Sequence, residues 1–231
     1  MDIKFPVLKP ILLGAALLAG TVSASDKADA TLVMTLQSGA STITVIDGGV
    51  GDMDASAGMI GFMGAVGNFT MNMIGGVGNA MAPWPTVMDL HGMNMSSTGG
   101  GTLVVTLVDD GYVPLSSAHR FVSLIGGTVG LGGTLTSVAF FDPASAPNSL
   151  GLPFASHGTF TAGAFSDSDL SAPLATPSQF GIGIQLTITH NRSALTSYDH
   201  EIRIDEPAAL GLFGLALAGV GLVAQRRRRT A

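Results

Sequence analysis

Hydrophobic and polar residues alternate along most of this chain with a period of two. The clearest case is 68–73, where Asn68, Thr70 and Asn72 interleave with Phe69, Met71 and Met73. That pattern predicts a half-buried strand. Residues 31–36 and 41–46 are rich in β-branched side chains, with Gly39 between them, and predict a hairpin. The strongest strand signal is 102–108, ended by the turn residues Asp109, Asp110 and Gly111. Further strands are predicted at 59–62, 86–95, 121–125, 133–141, 158–165, 180–189 and 198–204, with loops at 144–153 and 166–178. No stretch between residues 25 and 205 has helical periodicity, and no repeat of fixed length occurs. The expected fold is therefore all-β, an antiparallel β-sandwich or jelly roll.

Two stretches break the alternation, one at each end. Residues 1–24 read as a signal peptide: Lys4 and Lys9, an apolar run at 11–20, then Val22, Ser23 and Ala24. Small residues at the minus-three and minus-one places predict cleavage by signal peptidase after Ala24. Residues 208–224 contain only Ala, Leu, Gly, Val and Phe. As a helix this run is ~25 Å long, enough to cross a thin bilayer. Arg226, Arg227, Arg228 and Arg229 follow it, a basic stop-transfer tail that stays on the cytoplasmic side.

Glu206 and Pro207 stand immediately before the apolar run. The order Glu-Pro, helix, arginines resembles the PEP-CTERM sorting domain of exopolysaccharide-producing Gram-negative bacteria. Asp205 stands where that motif has its first proline. The resemblance implies recognition and processing by the membrane peptidase exosortase, with 206–231 as sorting segment. A softer resemblance to the passenger regions of such proteins covers 31–112, through Asp47-Gly48-Gly49, Gly67-Asn68-Phe69-Thr70, Met88-Asp89-Leu90 and Gly100-Gly101-Thr102-Leu103. It implies an exported β domain over 25–205 and carries no catalytic residue.

Charge sharpens this reading. Between residues 25 and 205, four strong bases face fourteen acids, a net of −10, although the whole chain carries only −6. So acidic a domain lacks the cations that neutralise phosphates, which excludes nucleic acid as a partner. With no cysteine in the chain, disulfides, thiol catalysis and Cys-ligated metals are excluded.

Candidate chemistry is sparse. Asp47, Asp52 and Asp54 lie in a glycine-rich stretch and offer hard oxygens suited to calcium, although their spacing is not that of an EF-hand. The alternative is a solvated turn. His91, His119, His157, His190 and His200 form no metal-binding pair by spacing, and no Gly-x-Ser-x-Gly elbow occurs. Methionines 59, 63, 71, 73, 81, 88, 93 and 95 crowd one stretch. Thioethers are ligands for copper(I), but the alternation of Met71 and Met73 with asparagines reads as core. Trp84, between Pro83 and Pro85, is placed either to stack on a sugar or to pack on a sheet edge.

The sequence thus predicts a non-catalytic structural protein of the cell envelope or extracellular matrix. It is exported across the inner membrane, with a transient or retained single-pass anchor. Exosortase, the membrane and exopolysaccharide are its expected partners, and no cofactor beyond calcium is implied. The alternative is a carbohydrate-binding or adhesive surface module; an envelope hydrolase ranks third.

Overall fold

The computed structural model describes residues 31–79, 86–114 and 116–205, and these contain no helix. The signal peptide with Ala24, Trp84 and the whole sorting segment, including Glu206, Pro207 and the four arginines, lie outside the described residues. Twelve strands follow in order: β1 (Val33–Ser38), β2 (Ser41–Ile46), β3 (Met59–Val66), β4 (Phe69–Val77), β5 (Thr86–Ser97), β6 (Gly101–Tyr112), β7 (Ala118–His119), β8 (Phe121–Asp142), β9 (Leu152–Leu170), β10 (Leu174–Ala175), β11 (Phe180–His190) and β12 (Ala194–Ile204).

All pairings are antiparallel. One ten-stranded sheet runs β2-β1-β6-β11-β8-β12-β5-β4-β3, and β9 pairs with the second edge of β8. The short β7 and β10 pair separately. Tight turns set the hairpin registers. Gly39 (φ +59°) opens the two-residue β1–β2 turn and Gly67 (φ +56°) the β3–β4 turn, a conformation that costs glycine nothing.

The sheet is organised around β8. Residues 121–125 and 133–141 do not form two strands: the glycine-rich residues between them stay in the strand, with a register irregularity against β9 between Val129 and Thr134, and the result is one strand of 22 residues. One edge of β8 carries β9 along both halves. The other edge is shared: β11 pairs with 133–142 and β12 with 121–129. Successive strands β11 and β12 therefore diverge, and the sheet folds over between them. The two faces that a sandwich would pack together are two halves of one hydrogen-bonded sheet, curled nearly into a barrel. The expected loop at 166–178 begins only after Leu170, because β9 continues to pair with β8 up to the match of Leu170 with Val122.

Inside the curl lies a single core. Phe69, Phe121, Phe180, Leu36, Leu107 and Ile184 are essentially inaccessible to solvent. Phe121 is within 5.5–6.0 Å of the rings of Phe141, Phe154 and Phe180. Cysteine-free, the domain rests on this burial, each large side chain contributing ~1.5–3 kcal/mol.

The ends of the sheet meet without forming a ladder. The loop from Asp47 to Gly58 crosses from β2 to β3 and closes this seam. Met53 donates its N–H to the Gly61 carbonyl at 2.9 Å, and Gly61 donates its own N–H to Asp52 Oδ1 at 2.9 Å. Both backbone groups of Gly61 on the edge strand are thereby paired, which blunts an edge open to aggregation.

Candidate functional site

The three acidic residues singled out by sequence all lie in the loop that closes the seam. Asp52 accepts the N–H groups of Gly48 (2.9 Å), Asp54 (3.0 Å) and Gly61 (2.9 Å). Asp47 accepts the Gly58 N–H at 2.6 Å, and Asp54 that of Ser56 at 2.9 Å. The carboxylates act as caps for backbone donors of the loop. Among the described residues no cluster of three or more His, Asp or Glu is arranged to hold a metal ion.

Two of the histidines scattered in sequence, His157 and His200, are brought together by the fold, with ring centroids 5.3 Å apart. His157 lies on the first half of β9, opposite Ser137, while Asp167 lies on the second half. Because the sheet folds over, the two halves face each other. His157 Nδ1 is 2.9 Å from Asp167 Oδ2, and His157 Nε2 is 2.9 Å from Ser123 Oγ. The chain goes on: Ser123 Oγ is 2.7 Å from His200 Nε2, and Ser137 Oγ is 2.7 Å from His200 Nδ1. One consistent set of directions has His157 donating to the Asp167 carboxylate, Ser123 to His157, His200 to Ser123 and Ser137 to His200; the Gln185 carbonyl oxygen, 3.3 Å from Ser137 Oγ, is the alternative acceptor for the Ser137 proton. Burial, and secondarily His157, push His200 down to about 3, so it stays neutral. The bond from His157 holds Asp167 below its ordinary value.

Ser123, His157 and Asp167 reproduce the connectivity of a hydrolase triad. They lack its access: Ser123 is 0% and His157 1% exposed, and Ser123 is held by a second imidazole. The constellation links the two halves of β8 and β9 across the core. A further buried histidine, His190, is similarly held, 2.8 Å from both Ser97 Oγ and Thr196 Oγ1.

The open site lies on the outer face of β5, β12, β8 and β9. It is a groove of about 910 Å³, with Gly126 and Gly127 in its lining and Thr128, Ser166, Ser168, Ser197, Asp199 and Glu201 along it. Its acidic wall is a product of register. Glu201 pairs with Asp89 and Asp199 with His91, which brings residues more than a hundred positions apart onto one patch. Thr86 and Arg203 both bond the Glu201 carboxylate. Burial pushes Glu201 up, but those bonds outweigh it and leave Glu201 below its ordinary value. Asp89 has no such support: burial first, then the charges of Asp199 and Glu201, push it up to about 7. Its Oδ1 is buried without a partner. Beneath the groove, the Tyr198 ring packs where a Cβ on Gly92 would fall 2.7 Å from its Cε1, and its hydroxyl is unpartnered too. Chemically, the groove offers carboxylate acceptors and hydroxyls of both polarities over a glycine floor.

None of Asp89, Asp199 and Glu201 stands out in the sequence, because their association exists only through the pairing of β5 with β12. The methionines divide. Met71, Met88 and Met95 are core, as expected. Met73, expected in the core beside Met71, is 44% exposed. The cause is a β-bulge: the register of β3 and β4 jumps from Phe62–Ile74 to Gly64–Met71, so Asn72 and Met73 together face Met63. No protein-family model and no curated protein matches the chain.

Proposed function

We propose that this protein is a non-catalytic structural component of the cell envelope or extracellular matrix, exported and then delivered by a PEP-CTERM-type sorting segment. The burial of Ser123 carries the non-catalytic part. In the one Ser-His-Asp arrangement among the described hydrogen bonds, Ser123 and His157 are buried and only Asp167 reaches the surface, so no substrate carbonyl can reach the hydroxyl. A β sheet curled nearly into a barrel, with a capped seam and a net charge of −10 over 25–205, suits a soluble life outside the cell. The address is read from Glu206, Pro207, the run at 208–224 and the four arginines. The arginines stop transfer, so the helix presents Glu206-Pro207 at the outer face of the membrane. Proline keeps Glu206 out of the α region, and the junction stays extended for a peptidase.

The test is mass spectrometry of the mature protein from a host that has an exosortase. The expected C-terminus lies close to Glu206-Pro207, with 208–231 absent. A mature chain that keeps Arg226 to Arg229 and fractionates as an integral membrane protein would replace processing by a plain anchor.

A second reading, an adhesive module for a hydroxyl-rich polymer such as exopolysaccharide, is favoured by the groove. Its hydroxyls and paired carboxylates match the donors of a sugar chain, and its volume suits a few sugar units.

A further inference from the structure

The bulge that turns Met73 outward also builds a row. Met73 and Met93 are direct cross-strand partners of β4 and β5. Met63 of β3 faces the Asn72–Met73 bulge. All three side chains point to the outer face and are 56%, 44% and 53% exposed for Met63, Met73 and Met93. Residues paired directly across a sheet have Cβ atoms ~5 Å apart, and three flexible bonds let each thioether turn toward its neighbour. Soluble proteins rarely leave three large apolar side chains side by side in water without a use for them.

One pair along the same face, His91 of β5 stands opposite Gly75 of β4. Its ring leans over that glycine: a Cβ there would lie 2.4 Å from His91 Nε2. The glycine is what makes room for the ring beside Met73. On the other side of the ring, Asp89 Oδ2 is 4.0 Å from His91 Nδ1. The nearest carboxylate thus lies on the Nδ1 side of the ring, and Nε2 is the nitrogen turned toward β4.

We propose that Met63, Met73, Met93 and His91 Nε2 form a surface site for a soft monovalent cation, copper(I). The donor set decides the ion. Calcium and magnesium require oxygens, and zinc favours thiolate, imidazole and carboxylate. Neutral thioethers with one imidazole select copper(I), a soft cation that needs neither charge nor octahedral geometry from its ligands.

The full chain is titrated with silver(I), an air-stable probe of the same softness, by calorimetry and native mass spectrometry. Copper(I) follows, by competition with a chromophoric chelator without oxygen. One ion per chain is expected. Met73→Leu and Met93→Leu keep the apolar volume and remove the sulfur; each is expected to weaken binding by at least about tenfold, as is His91→Gln. Met34→Leu, at a core methionine of β1, is expected to leave binding unchanged. Thermal unfolding of each apo variant verifies that its fold is kept. Absence of a one-to-one complex, equal affinity in the row variants and the parent, or an equal loss in Met34→Leu would overturn the site.

Discussion

Buried protons decide how single residues behave here. Ser123 satisfies two imidazoles at once, so Ser123→Ala leaves two buried ring nitrogens without a partner. Unsatisfied buried groups cost ~1–3 kcal/mol each. We expect Ser123→Ala to lower unfolding stability by roughly 2–4 kcal/mol, measured by urea titration. A hydrolase nucleophile would behave oppositely, losing an activity while stability is spared. Asp109 gives a pH signature. Burial is the main force pushing it up to about 6 from 3.8, although Asn79 donates its N–H to Oδ2 at 2.6 Å. Folded-state pKa is raised, so the folded chain holds this proton more tightly. Below pH ~4 both states are protonated and Asp109 contributes nothing. Stability then falls as pH rises toward 6, and the penalty stays on above it. Asp109→Asn keeps an acceptor for Asn79 and cannot ionise. The variant is expected to gain relative to its parent between pH 4 and pH 7.5, by on the order of 2–3 kcal/mol. A constant difference across that range would remove Asp109 as the source. His200 works in the reverse sense. Its value lies at about 3, so as pH falls through 6.5 the unfolded chain takes up a proton that the folded chain refuses, and stability drops.

At the scale of elements, alternation was enough to locate most strands, because each lies with one face on the core. Where it failed, the cause was local geometry. The glycine-rich stretch between 125 and 133 separated two predicted strands, yet β12 lies against two of its glycines: a Cβ on Gly127 would lie 2.2 Å from the Ser197 carbonyl oxygen, and one on Gly130 2.5 Å from that of Leu195. The same blindness hid the Met73 bulge, since a pattern of period two has no place for an extra residue. Asp-rich loops are ambiguous for a different reason, as a carboxylate that caps backbone N–H groups and one that binds calcium look alike in sequence. Structure assigns Asp52 three backbone donors, so Asp52→Ala should loosen the seam whether or not calcium is present. We expect a lower melting temperature for Asp52→Ala in calcium and in chelator alike, a loss of ~1–3 kcal/mol. If calcium raises the melting temperature of the parent and Asp52→Ala abolishes only that rise, the loop is a calcium site instead. A hundredfold excess over the dissociation constant would supply ~2.7 kcal/mol of such stabilisation.

Across the whole molecule, chemistry appears where distant strands are brought into register, and this limits what any sequence of this kind discloses. The Asp89–Asp199–Glu201 patch and the Ser123–His157–Asp167 chain have no local signature; they are properties of the β5–β12 pairing and of the fold along β8. The groove that results has a usable handle. Gly126 is part of its lining, and a Cβ there would come no nearer than 3.6 Å to its closest contact, the Phe165 carbonyl oxygen. Unlike Gly130, this position accepts a side chain without disturbing the neighbouring strand. Gly126→Leu should therefore occupy the groove and leave the fold standing, with a melting temperature close to the parent's. Glu201→Gln removes a charge from the wall while keeping acceptors for Thr86 and Arg203. If the groove holds a hydroxyl-rich polymer, the parent should be retained on exopolysaccharide from an exosortase-bearing host, and Gly126→Leu should abolish retention. Glu201→Gln should weaken it by ~1–2 kcal/mol, the difference between a charged and a neutral acceptor. Affinity gel electrophoresis measures all three. Equal mobility shifts for the parent and Gly126→Leu would place the polymer elsewhere on the surface; no shift for the parent would leave the groove without that ligand and the structural reading as the sole account.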